Sequence, residues 1–307
     1  MVTAAEDRDA EVTALLAEVR RIDVLGRRLV TGVMAGAYLS AFRGAGVEFD
    51  AVREYAEGDD ARSVDWNVTA RMGRPFVRKH RDERERTVLF LVDLSASMDG
   101  GFGVWSARQA AARVCACLAL AASRSNDKTG LVAFGGPAVV HVPPRRGPAH
   151  VLRIVRDCLA LQGGSRGTEM AAALEFTSRA VRRRAIVFVL SDFLAGGWEH
   201  AIALCARRHD VVAVRLSSPD TAPPAAGLMR VRDPESGREG VVDWSVPAVR
   251  DGYARRVAAW RETTESALRR GKVDLMEVPI PRTPDRNAVA GPIVHFFRMR
   301  EQRGTKR

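Results

Sequence analysis

Four short, almost unbroken apolar runs constrain the fold more than any other feature of the chain: "TVLFLV" at 87–92, "TGLVAF" at 129–134, "AIVFVL" at 185–190 and "VVAVRL" at 211–216. A strand with one wet face alternates apolar and polar residues. A run without that alternation is buried on both faces, which is the signature of a mainly parallel sheet sandwiched by helices. The intervening segments supply those helices. Residues 104–123 are rich in Ala, Leu, Cys and Val, and further helical stretches fall at 149–161, from Thr168, at 198–208 and at 246–271. A strand at 138–142 pairs with 129–134 through Gly135-Gly136-Pro137, residues 228–232 and 239–243 flank "DPESG" as a surface hairpin, and a last strand falls at 273–277. The expectation is an α/β domain over 87–280, with a doubly wound, mainly parallel sheet.

The flanking segments carry weaker signals. Residues 1–86 hold an amphipathic helix pattern over 5–20, at Val12, Leu15, Leu16 and Val19, and turn signals at Gly58-Asp59-Asp60 and Gly73-Arg74-Pro75. They are expected to form an N-terminal extension of helices and a few strands. Residues 281–307 form a C-terminal segment ending in a basic tail. After Met299 this tail has no apolar residue, so it is expected to bury little and to be dispensable for folding.

The formal net charge of +11 is unevenly placed: −1 over residues 1–86, +7 over 87–218 and +5 over 219–307. Such a field suits an acidic partner and leaves a weak membrane-surface association open. The bases are not interleaved with aromatic residues, Phe296 and Phe297 coming nearest, which argues against nucleic acid. The uncharged run Leu29–Phe42 is 14 residues long, short of the roughly 20 that a membrane span needs. The N-terminus lacks a basic start followed by an apolar core, so a cytoplasmic location is expected. The cysteines Cys115, Cys117, Cys158 and Cys205 lie in helical stretches without CxxC spacing, and are expected to be reduced and buried.

Chemistry concentrates where the first apolar run ends, in "FLVDLSASMDGG". Ligands of open α/β sheets bind beyond the carboxyl ends of the strands. Asp93, Ser95 and Ser97 stand at alternate positions beyond one such end, Asp192 beyond another, and Thr168 at a loop-to-helix start. If the chain leaves the strand extended, Asp93, Ser95 and Ser97 point the same way. Their oxygens are hard donors suited to Mg²⁺ or Mn²⁺. Neutral hydroxyls leave the ion much of its charge, so it can accept an acidic residue of a partner in an open coordination position. Ser165 and Glu169 lie close to Thr168 and offer alternative oxygens. Asp59, Asp60 and Asp65 in "EGDDARSVDW" are taken instead as turn residues or partners of Arg53, Arg62 and Arg71.

These segments resemble the von Willebrand factor A-type fold with its metal-ion-dependent adhesion site: "DLSASM", Thr168 and "LSDF" follow the order of that family's three metal-binding segments. A second likeness spans residues 40–195. "REYAEGDDARSVDWNVTARMGRPFVRK" ahead of "LFLVDLSASM" resembles the family called domain of unknown function 58. The resemblance implies a Rossmann-like von Willebrand factor A domain with Mg²⁺ (or Mn²⁺) at Asp93, Ser95, Ser97, Thr168 and Asp192. It also implies a non-enzymatic adaptor working with a MoxR-type AAA+ ATPase in the assembly or maturation of complexes. The spacing in "GGSRGTE" departs from the family's more usual glycines directly before the threonine, leaving open whether Thr168 or Ser165 is the third hydroxyl.

One enzymatic reading competes. A strand ending in Asp suits an aspartyl-phosphate route, with Asp93 as nucleophile of a metal-dependent phosphoryl-transfer hydrolase. Haloacid-dehalogenase-like phosphatases place a second Asp two residues on, where this chain has Ser95.

Overall fold

The computed structural model describes residues 13–14, 16–17, 36–38, 41–42, 52–56, 64, 66–78, 86–135, 139–161, 163, 169–285 and 287–305. Much of the 5–20 helix pattern, the turn at Gly58-Asp59-Asp60, and Asp65 lie outside them; residues 13–14 and 16–17 are helical.

Strands β1 (Val52–Glu54) and β2 (Phe76–Arg78) pair antiparallel, with helix α1 (Trp66–Met72) between them. The turn at Gly73 is real: its φ of +68° favours a residue without a Cβ.

The main sheet contains β3 (Thr87–Asp93), β4 (Lys128–Phe134), β5 (Val140–Arg145), β6 (Ile186–Ser191), β7 (Asp210–Ser217) and β10 (Asp274–Pro279), in the order β10-β7-β6-β3-β4-β5. Every neighbouring pair is parallel except β4 with the edge strand β5. The doubly wound, mainly parallel architecture expected from the apolar runs is present.

Helices cover both faces, which is why β3 needs no polar alternation. Val88, Phe90 and Val92 pack with α2 (Ala107–Arg124), α3 (Pro148–Ala160) and α7 (Ala290–Thr305). Leu89 and Leu91 point the other way, among α4 (Met170–Ala180), α5 (Glu199–Arg208) and α6 (Pro247–Arg270). Helix α2 begins three residues later than its composition suggests. Ser106 caps it, accepting from the Gln109 amide while the Gln109 side chain accepts from the Ser106 amide, which satisfies two otherwise orphaned donors. All four cysteines are buried and none is in a disulfide.

The core does not end at the domain edge expected at residue 280. Helix α7 inserts Ile293, Phe296 and Phe297 into the same core as β3 and α2. Tyr38 and Phe42 of the N-terminal extension meet the Phe297 ring at 5.9 and 5.7 Å, and the Tyr38 hydroxyl donates to Asp127 at 2.8 Å. The basic tail begins inside this helix. Arg300 donates to both carboxylate oxygens of Asp210, at 2.9 and 3.0 Å, and pairs with Asp274. Arg303 has a largely exposed side chain and reaches Asp274 at 3.3 Å.

Strands β8 (Leu228–Arg232) and β9 (Glu239–Asp243) form a separate antiparallel hairpin, with the bounds that the sequence suggested. Among the described residues no helix is long and apolar enough to cross a membrane.

Candidate metal centre

The winding of the sheet reverses between β3 and β6. From β3 the chain crosses to β4 on one side, and later returns to β6 on the other. This leaves a crevice beyond the carboxyl ends of β3 and β6, where Asp93 and Asp192 stand.

Asp93 is the last residue of β3 and is 1% exposed. Its Oδ1 accepts the Ser95 amide at 2.9 Å, and its Oδ2 accepts the Ser191 hydroxyl at 2.6 Å. Burial pushes its carboxyl up to about 6; the hydrogen bonds from Ser191 and Ser95 oppose that rise, and the nearby charge of Asp192 adds to it. Asp192 is raised in the same direction, chiefly by burial. Hydrogen bonds from the Leu194 amide and the Ser97 side chain oppose that rise, while the charges of Glu235 and Asp220 add to it. Two desolvated carboxylates in one crevice favour either a proton or a cation.

The exit from β3 is not extended. The Met98 amide donates to the Ser95 carbonyl at 3.0 Å, and Ala96–Asp99 form a 3₁₀ turn capped at Ser95. The alternation expected to align Asp93, Ser95 and Ser97 is therefore replaced by a tight turn, nucleated by the Asp93 carboxylate on the Ser95 amide. The turn still brings the hydroxyls together, with Ser95 Oγ and Ser97 Oγ 3.1 Å apart.

Three contacts fix this turn from outside. Gly135, with φ +105°, lies so close that a Cβ would meet the Ser95 amide nitrogen at 2.4 Å. Gly163, the first glycine of "GGSRGTE", packs against Leu94, and a Cβ there would fall 1.5 Å from the Leu94 carbonyl oxygen. Arg108 of α2 reaches in to donate to the Leu94 carbonyl at 3.2 Å and to Asp99 at 2.7 Å. Thr168 and Ser165 lie outside the described residues, and α4 starts at Met170, after Glu169.

Two residues of the site were missed in the sequence. Ser191 was legible only as the residue before Asp192, although the end of a parallel strand beside β3 is where a partner for Asp93 would be sought. Glu235 gave no signal. It lies in the turn of the β8–β9 hairpin, yet its Oε1 accepts the Ser97 amide at 3.0 Å across 138 residues of sequence.

The donors fit a hard divalent ion. Among the described residues no group of three or more His, Cys, Asp or Glu side chains could hold a metal, so an ion here depends on the serine hydroxyls. Ser95 and Ser97 would supply them. Asp93 and Asp192 would balance the charge directly or through water, an arrangement that Mg²⁺ tolerates well.

Fold and crevice together define an α/β protein with an acid-and-hydroxyl site at the switch point of a mainly parallel sheet. The chain belongs to the family described as protein of unknown function DUF58, whose model matches residues 51–263. Over 268 residues it is 33% identical to the uncharacterized protein Rv1480 of Mycobacterium tuberculosis (strain ATCC 25618 / H37Rv), spanning 85% of this chain and 83% of that one. Among solved structures, the conserved hypothetical protein BatB from Bacteroides thetaiotaomicron aligns over 71% of this chain and 99% of its own, with 18% identity and a TM-score of 0.42. The SpRpn10 VWA domain aligns over 68% and 94%, with 11% identity and a TM-score of 0.37.

Proposed function

We propose that the protein is a non-enzymatic, metal-dependent interaction module that grips an acidic residue of a partner. Mg²⁺ or Mn²⁺ is held by Ser95, Ser97 and a hydroxyl of the 164–168 loop, Thr168 or Ser165, with Asp93 and Asp192 balancing its charge. One observation carries this reading: two serine hydroxyls 3.1 Å apart, beside two carboxyls, Asp93 buried and Asp192 partly so, that desolvation pushes up. The cation relieves that desolvation, and its remaining charge recruits the partner's carboxylate. The partner is a MoxR-type AAA+ ATPase, or a client presented by it, for which the protein serves as adaptor in complex assembly.

A hydrolase with Asp93 as nucleophile finds less support. That side chain is 1% exposed, and both its oxygens already accept hydrogen bonds. Each oxygen keeps a further lone pair, so the objection is burial: a nucleophile must lie in reach of substrate.

The test is the affinity for a MoxR-type ATPase of wild type and Ser97→Ala, each with magnesium and with chelator, at one ionic strength. Ser97→Ala removes a neutral donor and keeps the net charge. Metal-dependent binding predicts that chelator and Ser97→Ala each weaken the complex. Attraction of the basic chain to an acidic ATPase would instead fall with salt, being screened over about 8–10 Å, and would ignore both. Four equal affinities would refute the reading.

A further inference from the structure

The β8–β9 hairpin has the form of a surface ornament. Its strands are largely exposed and pair only with each other, outside the six-stranded sheet. Its turn is nevertheless closely built. Asp233 organises it: Oδ1 accepts the Glu235 amide at 3.0 Å, Oδ2 accepts the Ser236 hydroxyl, and the carbonyl accepts the Gly237 amide at 2.8 Å. Gly237 adopts φ +69°, which lets the chain turn back to Arg238. Glu235 is thereby set at the apex of a rigid turn. The hairpin closes at its base through the Trp244 amide on the Gly227 carbonyl at 2.8 Å, and the Trp244 ring packs on Tyr253 of α6.

The apex carboxylate lies at the metal centre. Its Oε1 takes the Ser97 amide, and its Oε2 is buried without a hydrogen-bond partner. A carboxylate placed beside Asp192 with one oxygen unsatisfied is poorly compensated by the protein alone. A cation between the hydroxyls and these acids would compensate it. The proposed function calls for an acid from outside at this same centre.

We propose that Glu235 is an internal ligand of the centre: it holds the place of a partner's carboxylate, and an acidic segment of the partner must displace the hairpin to bind. This rests on the metal-binding reading above. The hairpin suits the part, because it can swing from its base without breaking a pairing of the main sheet. It also states the chemistry of the outside ligand, an Asp or Glu at the apex of a short acidic turn, of which "DPESG" is the built-in version. Displacement makes the site selective, since only a segment that outcompetes a tethered carboxylate gains entry.

The test uses the full chain as wild type, Asp93→Ala, Glu235→Ala and Glu235→Gln, with Mn²⁺ as the probe ion. Spin resonance gives Mn²⁺ affinity, water-proton relaxation gives the number of waters on the bound ion, and anisotropy reads a labelled Asp-Pro-Glu-Ser-Gly peptide. Equal melting temperatures in chelator confirm that the Glu235 variants fold. Glu235→Ala is expected to bind Mn²⁺ several-fold more weakly, with one more water. It should also gain Mn²⁺-dependent peptide binding by about tenfold, the occupied position having been vacated. Glu235→Gln keeps the acceptor for the Ser97 amide but loses the charge, and should also bind Mn²⁺ more weakly. If wild type and both Glu235 variants share one Mn²⁺ affinity, one water count and one peptide affinity, while Asp93→Ala loses the ion, the internal ligand is refuted and the metal centre stands. If wild type itself binds no Mn²⁺, both fall.

Discussion

Ser191 donates its hydroxyl proton to Asp93 Oδ2 at 2.6 Å, joining the ends of two neighbouring parallel strands that lie 98 residues apart in the sequence. The Phe193 amide in turn donates to the same serine oxygen at 3.0 Å. One side chain thus holds the buried carboxylate and shapes the loop that carries Asp192.

Ser191→Ala removes this bond and leaves Asp93 with an unsatisfied oxygen. A hydrogen bond to a charged group contributes about 1.5–3 kcal/mol. The variant should lose stability of that order by denaturant titration in chelator at pH 7. Its Asp93 carboxyl should titrate higher than in wild type, since the Ser191 bond holds it down. An unchanged midpoint would mean that the serine plays no part in holding the acid.

Metal binding should register as stability. An ion that binds only the folded state, at about 100 times its dissociation constant, adds about 2.7 kcal/mol. Magnesium should raise the melting temperature of wild type, and Asp93→Ala should lose most of the increment. An equal rise in both would remove Asp93 from the centre.

Without metal, stability should depend on pH through Asp93. Its carboxyl keeps its proton to about pH 6 in the folded chain, against an ordinary value of 3.8. Between those values the folded state binds more protons than the unfolded state, so stability falls as pH rises from about 4 to about 6. The total is on the order of 3 kcal/mol, at about 1.36 kcal/mol for each unit. Asp192 shifts in the same direction and steepens the slope. Asp93→Asn should flatten most of it in chelator, and saturating magnesium should reduce it in wild type. A rise in wild-type stability over that window would contradict the burial of this acid.

Gly135→Ala should disrupt the centre without touching a donor. The position has φ +105°, and a Cβ would meet the Ser95 amide nitrogen. The backbone alone costs about 1–3 kcal/mol, and relief requires moving the turn that aligns Ser95 with Ser97. Lower stability together with weaker Mn²⁺ affinity is expected. Full affinity in a folded variant would show that the turn tolerates displacement.

At the C-terminus the two arginines should separate. Arg300→Ala breaks a largely buried pair with Asp210 and Asp274, at about 2–3 kcal/mol. Among the described residues, deleting 302–307 removes the exposed Arg303 contact and the last residues of the helix, expected to cost less than about 1 kcal/mol. Equal losses in denaturant titrations would show that the end of the helix docks more firmly than its exposure indicates.

The sheet and its helices were legible because each is specified locally. An apolar run such as "AIVFVL" can be satisfied only between two covering layers, and Ala-rich stretches beside it supply those layers. The acid and hydroxyls of "DLSAS" were visible for a similar reason, since an Asp at the carboxyl end of an interior parallel strand stands at the crevice. The 3₁₀ turn was not, because it depends on the Asp93 carboxylate finding the Ser95 amide in a space confined by Gly135 and Gly163. Residues 298–303 are polar enough to pass for a free tail. Their place in a docked helix follows from Phe296 and Phe297 just before them, and from Asp210 and Asp274 at the starts of two distant strands.

By itself, then, the sequence determined which segments between residues 87 and 277 are strands and helices, that the sheet is buried on both faces, and that an acid and hydroxyls leave its central strand. Those properties are set by the period of hydrophobicity and by neighbours within a few residues. The tertiary structure alone decided that Ser191 holds Asp93, that Arg300 pins the last helix, and that Glu235 meets the Ser97 amide. Such contacts join residues far apart along the chain, and nothing in the local pattern of either partner encodes the distance that the winding of the sheet closes between them.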